Sequence, residues 1–268
     1  MYHSASLVMP LNPVAGGLSS LTGSPAASGA FFADISREPI HNRSPMRPLP
    51  KRSIAARYLP SRYHYWYAFS KLATDPVYEA ARTVFAQTNA ALLDVGCGIG
   101  LLPQSLRASG LAVKYQGLDI DAGKIELART AAAKAGLKDV RFDIGDLAAN
   151  FPEHRGSVAL LDVLQYFQPQ DRIALLGKVA RCIAPEGRLI IRAGLEDRSW
   201  RAVITRSADR FGHLVRWMGP APVSQPTAAD LTRLLGSYGL TCELRPLAGR
   251  MPFNNWLLVG RLRDAAAA

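Results

Sequence analysis

Between residues 90 and 192, short apolar runs alternate with stretches of helical pattern, and this rhythm constrains the fold more than any other feature of the chain. The runs at 90–95, 113–119, 140–142, 158–161 and 188–192 read as strands. Helical patterns lie between them at 101–108, 122–135 and 170–183; Gly136 stops the second, and Pro185 and Gly187 follow the third. Strands separated by helices pair in parallel, and a parallel sheet needs helices on both faces. A helix at 228–238 and two strands at 241–245 and 256–261 close the chain. Such a closing hairpin lays one antiparallel strand on the sheet. Open sheets of this kind bind ligands at the carboxyl ends of their strands.

Other arrangements are excluded by what the 268 residues lack. No apolar run approaches the ~20 residues of a membrane-spanning helix. Cys97, Cys182 and Cys242 are too scattered for a disulfide framework or a zinc site, so no metal is expected and a reducing, cytoplasmic setting is. The net charge of +11 comes from dispersed arginines rather than a basic block. It is read as solvated surface, with no nucleic-acid partner expected. An acidic acyl carrier protein is a partner that this charge would suit.

Three segments flank or interrupt the alternation. Residues 1–50, rich in Pro, Gly, Ser and Ala without an apolar period, are expected to be a disordered tail, with Met9 or Met46 as an alternative start. Residues 51–89 bring Tyr58, Tyr63, His64, Tyr65, Trp66, Tyr67 and Phe69, then an amphipathic run at 75–87 with Pro76 at a helix start. This segment reads either as an aromatic lid over a substrate or as an N-terminal piece packed on the sheet. An arginine-rich insertion at 197–224 divides the core domain, 90–263, after its fifth strand, where substrate specificity would be built.

The chemistry is concentrated in Leu93-Asp94-Val95-Gly96-Cys97-Gly98-Ile99-Gly100. Glycines at the end of a first strand let the chain turn sharply and let a ligand approach bare peptide. A phosphate-binding Walker loop is excluded, because no Lys-Ser or Lys-Thr follows. A dinucleotide fingerprint needs a third glycine where Leu101 stands, and it would set Asp94 beside the pyrophosphate. An acid just before the glycines suits instead a ligand that brings an ammonium or sulfonium group.

On these residues the chain resembles the class I S-adenosylmethionine-dependent methyltransferases. Four later stretches extend the resemblance. Gly117-Leu118-Asp119-Ile120-Asp121 is similar to the end of the family's second strand, and Gly145-Asp146-Leu147 to its third motif. Leu161-Asp162-Val163-Leu164-Gln165-Tyr166-Phe167 is similar to its fourth, and the turn through Pro185-Glu186-Gly187 to the signature before its fifth strand. The resemblance implies a Rossmann-like, doubly wound, mostly parallel seven-stranded sheet with an antiparallel last strand. It also implies S-adenosyl-L-methionine as cofactor. Asp94, Gly96, Cys97 and Gly98 would form the loop, Asp119 and Ile120 would meet the ribose side, and Asp146 and Leu147 the adenine. Asp162 would bind the methionine end or a substrate, or merely cap the following turn.

The implied activity is methyl transfer to a small molecule, such as a phenolic or aromatic metabolite or a quinone-like lipid. No Asn-Pro-Pro-Tyr or Asp-Pro-Pro-Tyr stretch stands at the fourth strand, as enzymes acting on amines of nucleic acid or protein carry. Gln165 occupies a position where the family often has histidine, and it cannot serve as a base. His64, His213 and Tyr166 are the remaining catalytic candidates. The alternatives are a non-catalytic cofactor-binding regulatory or partner protein, since a fold does not settle activity, and a methyltransferase acting on RNA, protein or a carrier-bound substrate.

Overall fold

The computed structural model describes residues 47–146, 151–195, 224–247 and 255–263. The expectations placed on the tail before residue 47, on Leu147, on His213 and on nearly all of the insertion lie outside the described residues. Three helices, α1 (Lys51–Ala56), α2 (Arg62–Thr74) and α3 (Val77–Phe85), precede the first strand. The alternation follows as β1 (Leu92–Val95), α4 (Leu101–Ala108), β2 (Tyr115–Asp119), α5 (Ala122–Lys134), β3 (Val140–Ile144), β4 (Ser157–Leu161), α6 (Pro169–Arg181) and β5 (Leu189–Gly194). The chain closes with α7 (Ala228–Ser237), β6 (Leu240–Pro246) and β7 (Asn255–Leu262).

The strands form one seven-stranded sheet in the order β3-β2-β1-β4-β5-β7-β6. Pairing is parallel from β3 through β5, and β7 runs antiparallel to both of its neighbours. The order reverses between β1 and β4, which leave from the middle of the sheet in opposite directions. That reversal opens a crevice at their carboxyl ends.

Alternation of side chains along each strand separates two cores. Leu93, Val95, Val158, Leu160, Leu189 and Ile191 pack with Leu175, Leu176 and Val179 of α6 and with Leu231 and Leu235 of α7. On the other face Leu92, Tyr115, Phe142, Ala159 and Ile190 pack with α3, α4 and α5. Each large side chain buried in this way contributes roughly 1.5–3 kcal/mol. The helices are bounded as their end residues dictate: Asp121 caps α5 by accepting from the Gly123 and Lys124 amides at 2.9 and 3.1 Å, and Thr227 caps α7. Gly136, at φ +60°, turns the chain out of α5 as its position predicts.

Residues 51–89, expected as an aromatic and helical segment, hold α1, α2 and α3. The inner residues Ile54, Ala55, Tyr58, Ala68 and Leu72 pack against Ile99, Leu101 and Ala131, on the glycine loop and the helices beside it. The outward face of α2 carries Tyr63, Trp66 and Tyr67. A helix with rings outside and small or apolar residues inside shows no contrast of hydrophobicity along its length, so α2 was not visible as a periodic pattern. The sheet also differs in one bound, since β3 continues to Ile144 where the apolar run stops at Phe142.

Candidate functional site

The glycine bend leaves β1 and is shaped by three left-handed residues: Gly96 at φ +75°, Gly98 at +55° and Gly100 at +75°. A Cβ at Gly96 would strike the Val163 side chain in the loop after β4, and one at Gly100 would lie 2.9 Å from the Phe142 ring. At Gly98 nothing lies within 4 Å of the Cβ position, so the middle of the bend presents open peptide. The amides of Gly96 and Cys97 both donate to the Leu118 carbonyl, at 2.8 and 2.9 Å, which ties the bend to the end of β2. From the outer side, the buried Tyr58 hydroxyl donates to the Ile99 carbonyl at 2.9 Å.

Asp119 braces the same bend. One carboxylate oxygen accepts from the Gly98 amide at 2.9 Å and the other from the Asp121 amide at 3.0 Å. Each oxygen keeps a second lone pair, so the carboxylate retains acceptor capacity for two neighbouring hydroxyls. Beside it Ile120 is 71% exposed, and Ile144 at the end of neighbouring β3 is 56% exposed. Two bare apolar side chains at adjoining strand ends are a surface that a flat ring can cover.

Asp94 is only 2% exposed. Its Oδ2 accepts from the Tyr115 hydroxyl at 2.6 Å, whereas Oδ1 is buried without a hydrogen-bond partner among the described residues. Burial pushes this carboxyl up to about 7; the Tyr115 hydrogen bond opposes the rise and the negative Asp119 adds to it. A half-satisfied buried acid next to open peptide fits a ligand that carries positive charge. Cys97 shares the neighbourhood, but burial, with Asp94 and Asp119 adding, pushes its thiol far up, which leaves it a packing residue.

Across the crevice, Asp162 follows β4 with φ +62°, a conformation that side chains other than glycine seldom adopt. Its carboxylate pairs with the Arg192 guanidinium, and the Lys71 ammonium lies 3.7 Å away. Arg192 is also 3.3 Å from Asp75, and Lys71 is 3.2 Å from the same carboxylate. Burial by itself would raise the Asp75 carboxyl, but Arg192 and Lys71 outweigh it and hold it below its ordinary value. The four charges join the α2–α3 turn to the ends of β4 and β5. Tyr166 ends the short turn after Asp162, its amide donating to the Val163 carbonyl at 3.1 Å.

The structure thus gathers Asp94, Gly96, Cys97, Gly98, Asp119 and Ile120 around one bend, with Asp162 and Tyr166 at the mouth of β4 across the crevice. Asp146 is exposed beyond β3. His64 sits in the first turn of α2, its Nδ1 2.8 Å from the Ser61 hydroxyl. His64 and Lys71 are seven residues apart, ~10 Å along α2, so His64 lies two turns from the side chain that meets Asp162. Lys71, Asp75, Tyr115 and Arg192 went unnoticed in the sequence. Arg192 had a signal, since a charge inside Leu189-Ile190-Ile191-Arg192-Ala193 must find partners or not be buried.

Residues 92–187, which hold the bend, Asp119, Asp162 and the turn before β5, match the methyltransferase domain family. Over this segment the chain is similar to a methyltransferase domain. The likenesses to individual proteins are partial. A carboxy-S-adenosyl-L-methionine synthase from Pseudomonas syringae pv. syringae (strain B728a) is 30% identical over 130 residues, 45% of this chain and 53% of the relative. A ubiquinone biosynthesis O-methyltransferase from Xylella fastidiosa (strain 9a5c) is 32% identical over 106 residues, 39% of this chain and 42% of the relative. The chain therefore spans about half the length of the curated relatives it matches.

Solved structures agree on the fold. Magnesium protoporphyrin IX methyltransferase from Synechocystis PCC 6803, with S-adenosylhomocysteine bound, superposes with a TM-score of 0.54 at 19% identity, covering 70% of this chain and 84% of that one. An O-methyltransferase of neocarzinostatin biosynthesis, complexed with S-adenosyl-L-homocysteine and 1,4-dihydroxy-2-naphthoic acid, gives 0.52 at 19%, covering 73% and 55%. Among the described residues, no helix is long and apolar enough to cross a membrane, and no cluster of three metal-ligating side chains occurs.

Proposed function

We propose that this protein transfers a methyl group from S-adenosylmethionine to a small-molecule acceptor. The observation that carries this reading is the open peptide at Gly98, held by Asp119, together with the half-paired buried Asp94 on β1 just before the bend. These residues fit the donor: Asp119 has lone pairs for the two ribose hydroxyls, Ile120 and Ile144 suit the purine face, and Asp94 suits the positive methionine end. When bound, the donor supplies an activated methyl group on a sulfonium.

The work left to the protein is alignment and exclusion of water. The bend grips the donor through backbone, so its position does not depend on a mobile side chain. Asp162 and Tyr166 face the acceptor across the crevice, and Arg192 with Lys71 keeps the Asp162 carboxylate in one place. A phenol or enol acceptor must lose one proton, before or during transfer. Tyr166 and Asp162 are our choice of groups to receive a hydrogen bond from it; His64, its Nδ1 against the Ser61 hydroxyl, lies about two helical turns from Lys71.

Calorimetric titration of the protein with S-adenosylmethionine tests the donor site, and Asp119→Ala should weaken binding about tenfold or more. Incubation of the protein with methyl-labelled donor and cell extract tests the acceptor. Label in the organic-extractable fraction is expected; label in RNA or protein, or none, refutes a small-molecule acceptor.

A further inference from the structure

We infer that the outer face of α1–α2 docks on an anionic membrane surface. Seven large apolar side chains are exposed among the described residues, and four of them, Leu59, Tyr63, Trp66 and Tyr67, lie within this short stretch. Two of the others, Ile120 and Ile144, belong to the donor site. The concentration on α2 is therefore a patch, and a patch of that kind marks an interaction surface.

The character of the patch selects the partner. Tyr63, Trp66 and Tyr67 have apolar bodies and polar tips, the combination that settles at the headgroup level of a bilayer, with the ring in the acyl boundary and the N–H or O–H in water. Trp66 is packed edge-on against Tyr65 at 5.2 Å and Phe69 at 5.8 Å, so little freedom remains to be lost on docking. From Arg47 to Thr74 the sequence holds six bases, Arg47, Lys51, Arg52, Arg57, Arg62 and Lys71, and no acid. Arg52 and Arg62 are exposed, and Arg62 directly precedes Tyr63 at the start of α2. Basic side chains near an anionic leaflet each add attraction that falls away within a Debye length. An acidic protein partner would satisfy the charge but not the row of outward rings.

The patch also sits where docking has a consequence. The same helix turns Leu72 inward to the glycine-loop cluster and brings Lys71 to Asp162. A bilayer under α2 would thus lie at the rim of the crevice, where an acceptor dissolved in lipid could enter it. That last clause rests on the methyl-transfer reading; the docking itself does not.

The test is co-sedimentation of the full chain with vesicles of phosphatidylcholine containing about one third phosphatidylglycerol. Binding is expected, falling about tenfold on pure phosphatidylcholine and again in about 0.5 M salt. The double variant Tyr63→Ser/Trp66→Ser should lower binding about tenfold on anionic vesicles. Arg52→Gln/Arg62→Gln should remove most of the preference for anionic lipid. Both variants should keep the wild-type melting temperature and S-adenosylmethionine affinity, which shows that the fold and donor site are intact. Failure of the wild type to sediment, or variants that sediment as it does, would overturn the proposal. So would loss of a dimer in the variants with vesicle binding unchanged, which assigns the face to a second copy. Donor titration without vesicles is independent of every one of these outcomes, so the methyl-transfer reading stands or falls separately.

Discussion

Asp94 offers a test of the site that needs no ligand. In the unfolded chain its carboxyl titrates near 3.8, whereas burial holds it at about 7 in the fold. A carboxyl whose value is raised on folding binds its proton more tightly in the native state, so folding takes up a proton between those two values. Stability therefore falls as pH rises through that window and levels off above it. One pH unit inside the window corresponds to about 1.4 kcal/mol, so the wild type should lose roughly 2–3 kcal/mol between about pH 5 and pH 8 on account of this group. Asp94→Asn keeps the shape and the Tyr115 partner but cannot ionise. Other carboxyls and histidines titrate equally in both proteins, so the informative quantity is the difference. Urea unfolding of wild type and D94N at about pH 5, 6.5 and 8 should show the variant gaining on the wild type by that amount. Parallel pH profiles would falsify the claim that Asp94 is a half-paired buried acid. The same argument predicts that a cationic ligand binds more tightly as pH rises toward 8, because binding favours the ionised form, and that D94N loses this dependence.

Three further outcomes follow from the contacts. Asp119→Asn replaces an oxygen that accepts a backbone amide with a group that must in part donate, so it should cost 1–3 kcal/mol and weaken donor binding about tenfold, read by thermal unfolding and calorimetry. Arg192→Met leaves Asp75 and Asp162 without their buried guanidinium and should destabilise by about 3–5 kcal/mol, with little sensitivity to salt in urea unfolding. Tyr58→Phe removes one buried hydrogen bond to the Ile99 carbonyl; it should cost about 1 kcal/mol and raise the KM for the donor more than it lowers kcat.

Much of the candidate site is legible in the sequence, and the reason is local. The glycine bend announces itself because backbone at positive φ tolerates few residues other than glycine, and Gly96, Gly98 and Gly100 stand together after an apolar run. Asp119 lies one strand–helix–strand crossover further on, so its spacing is set by the lengths of α4 and β2. Parallel pairing follows from the same logic, because helical crossovers return each strand in the same direction, whereas the order of the strands was seen only in the fold. These features depend on neighbours within a few dozen residues, and periodicity or residue type records them.

What the sequence could not show depends on residues far apart meeting in space. Arg192 meets Asp75, more than a hundred positions earlier, only because the α2–α3 turn packs over the end of β5. Tyr115 reaches Asp94 because β1 and β2 pair side by side, and the desolvation that lifts the Asp94 carboxyl exists only once both cores close around it. Likewise the rings of α2 look alike in the sequence; which of them point outward was decided by how Ala68 and Leu72 seat the helix on the glycine loop. Chain connectivity and local geometry set the bend and the sheet, whereas charge pairing, burial and exposure are properties of the assembled molecule.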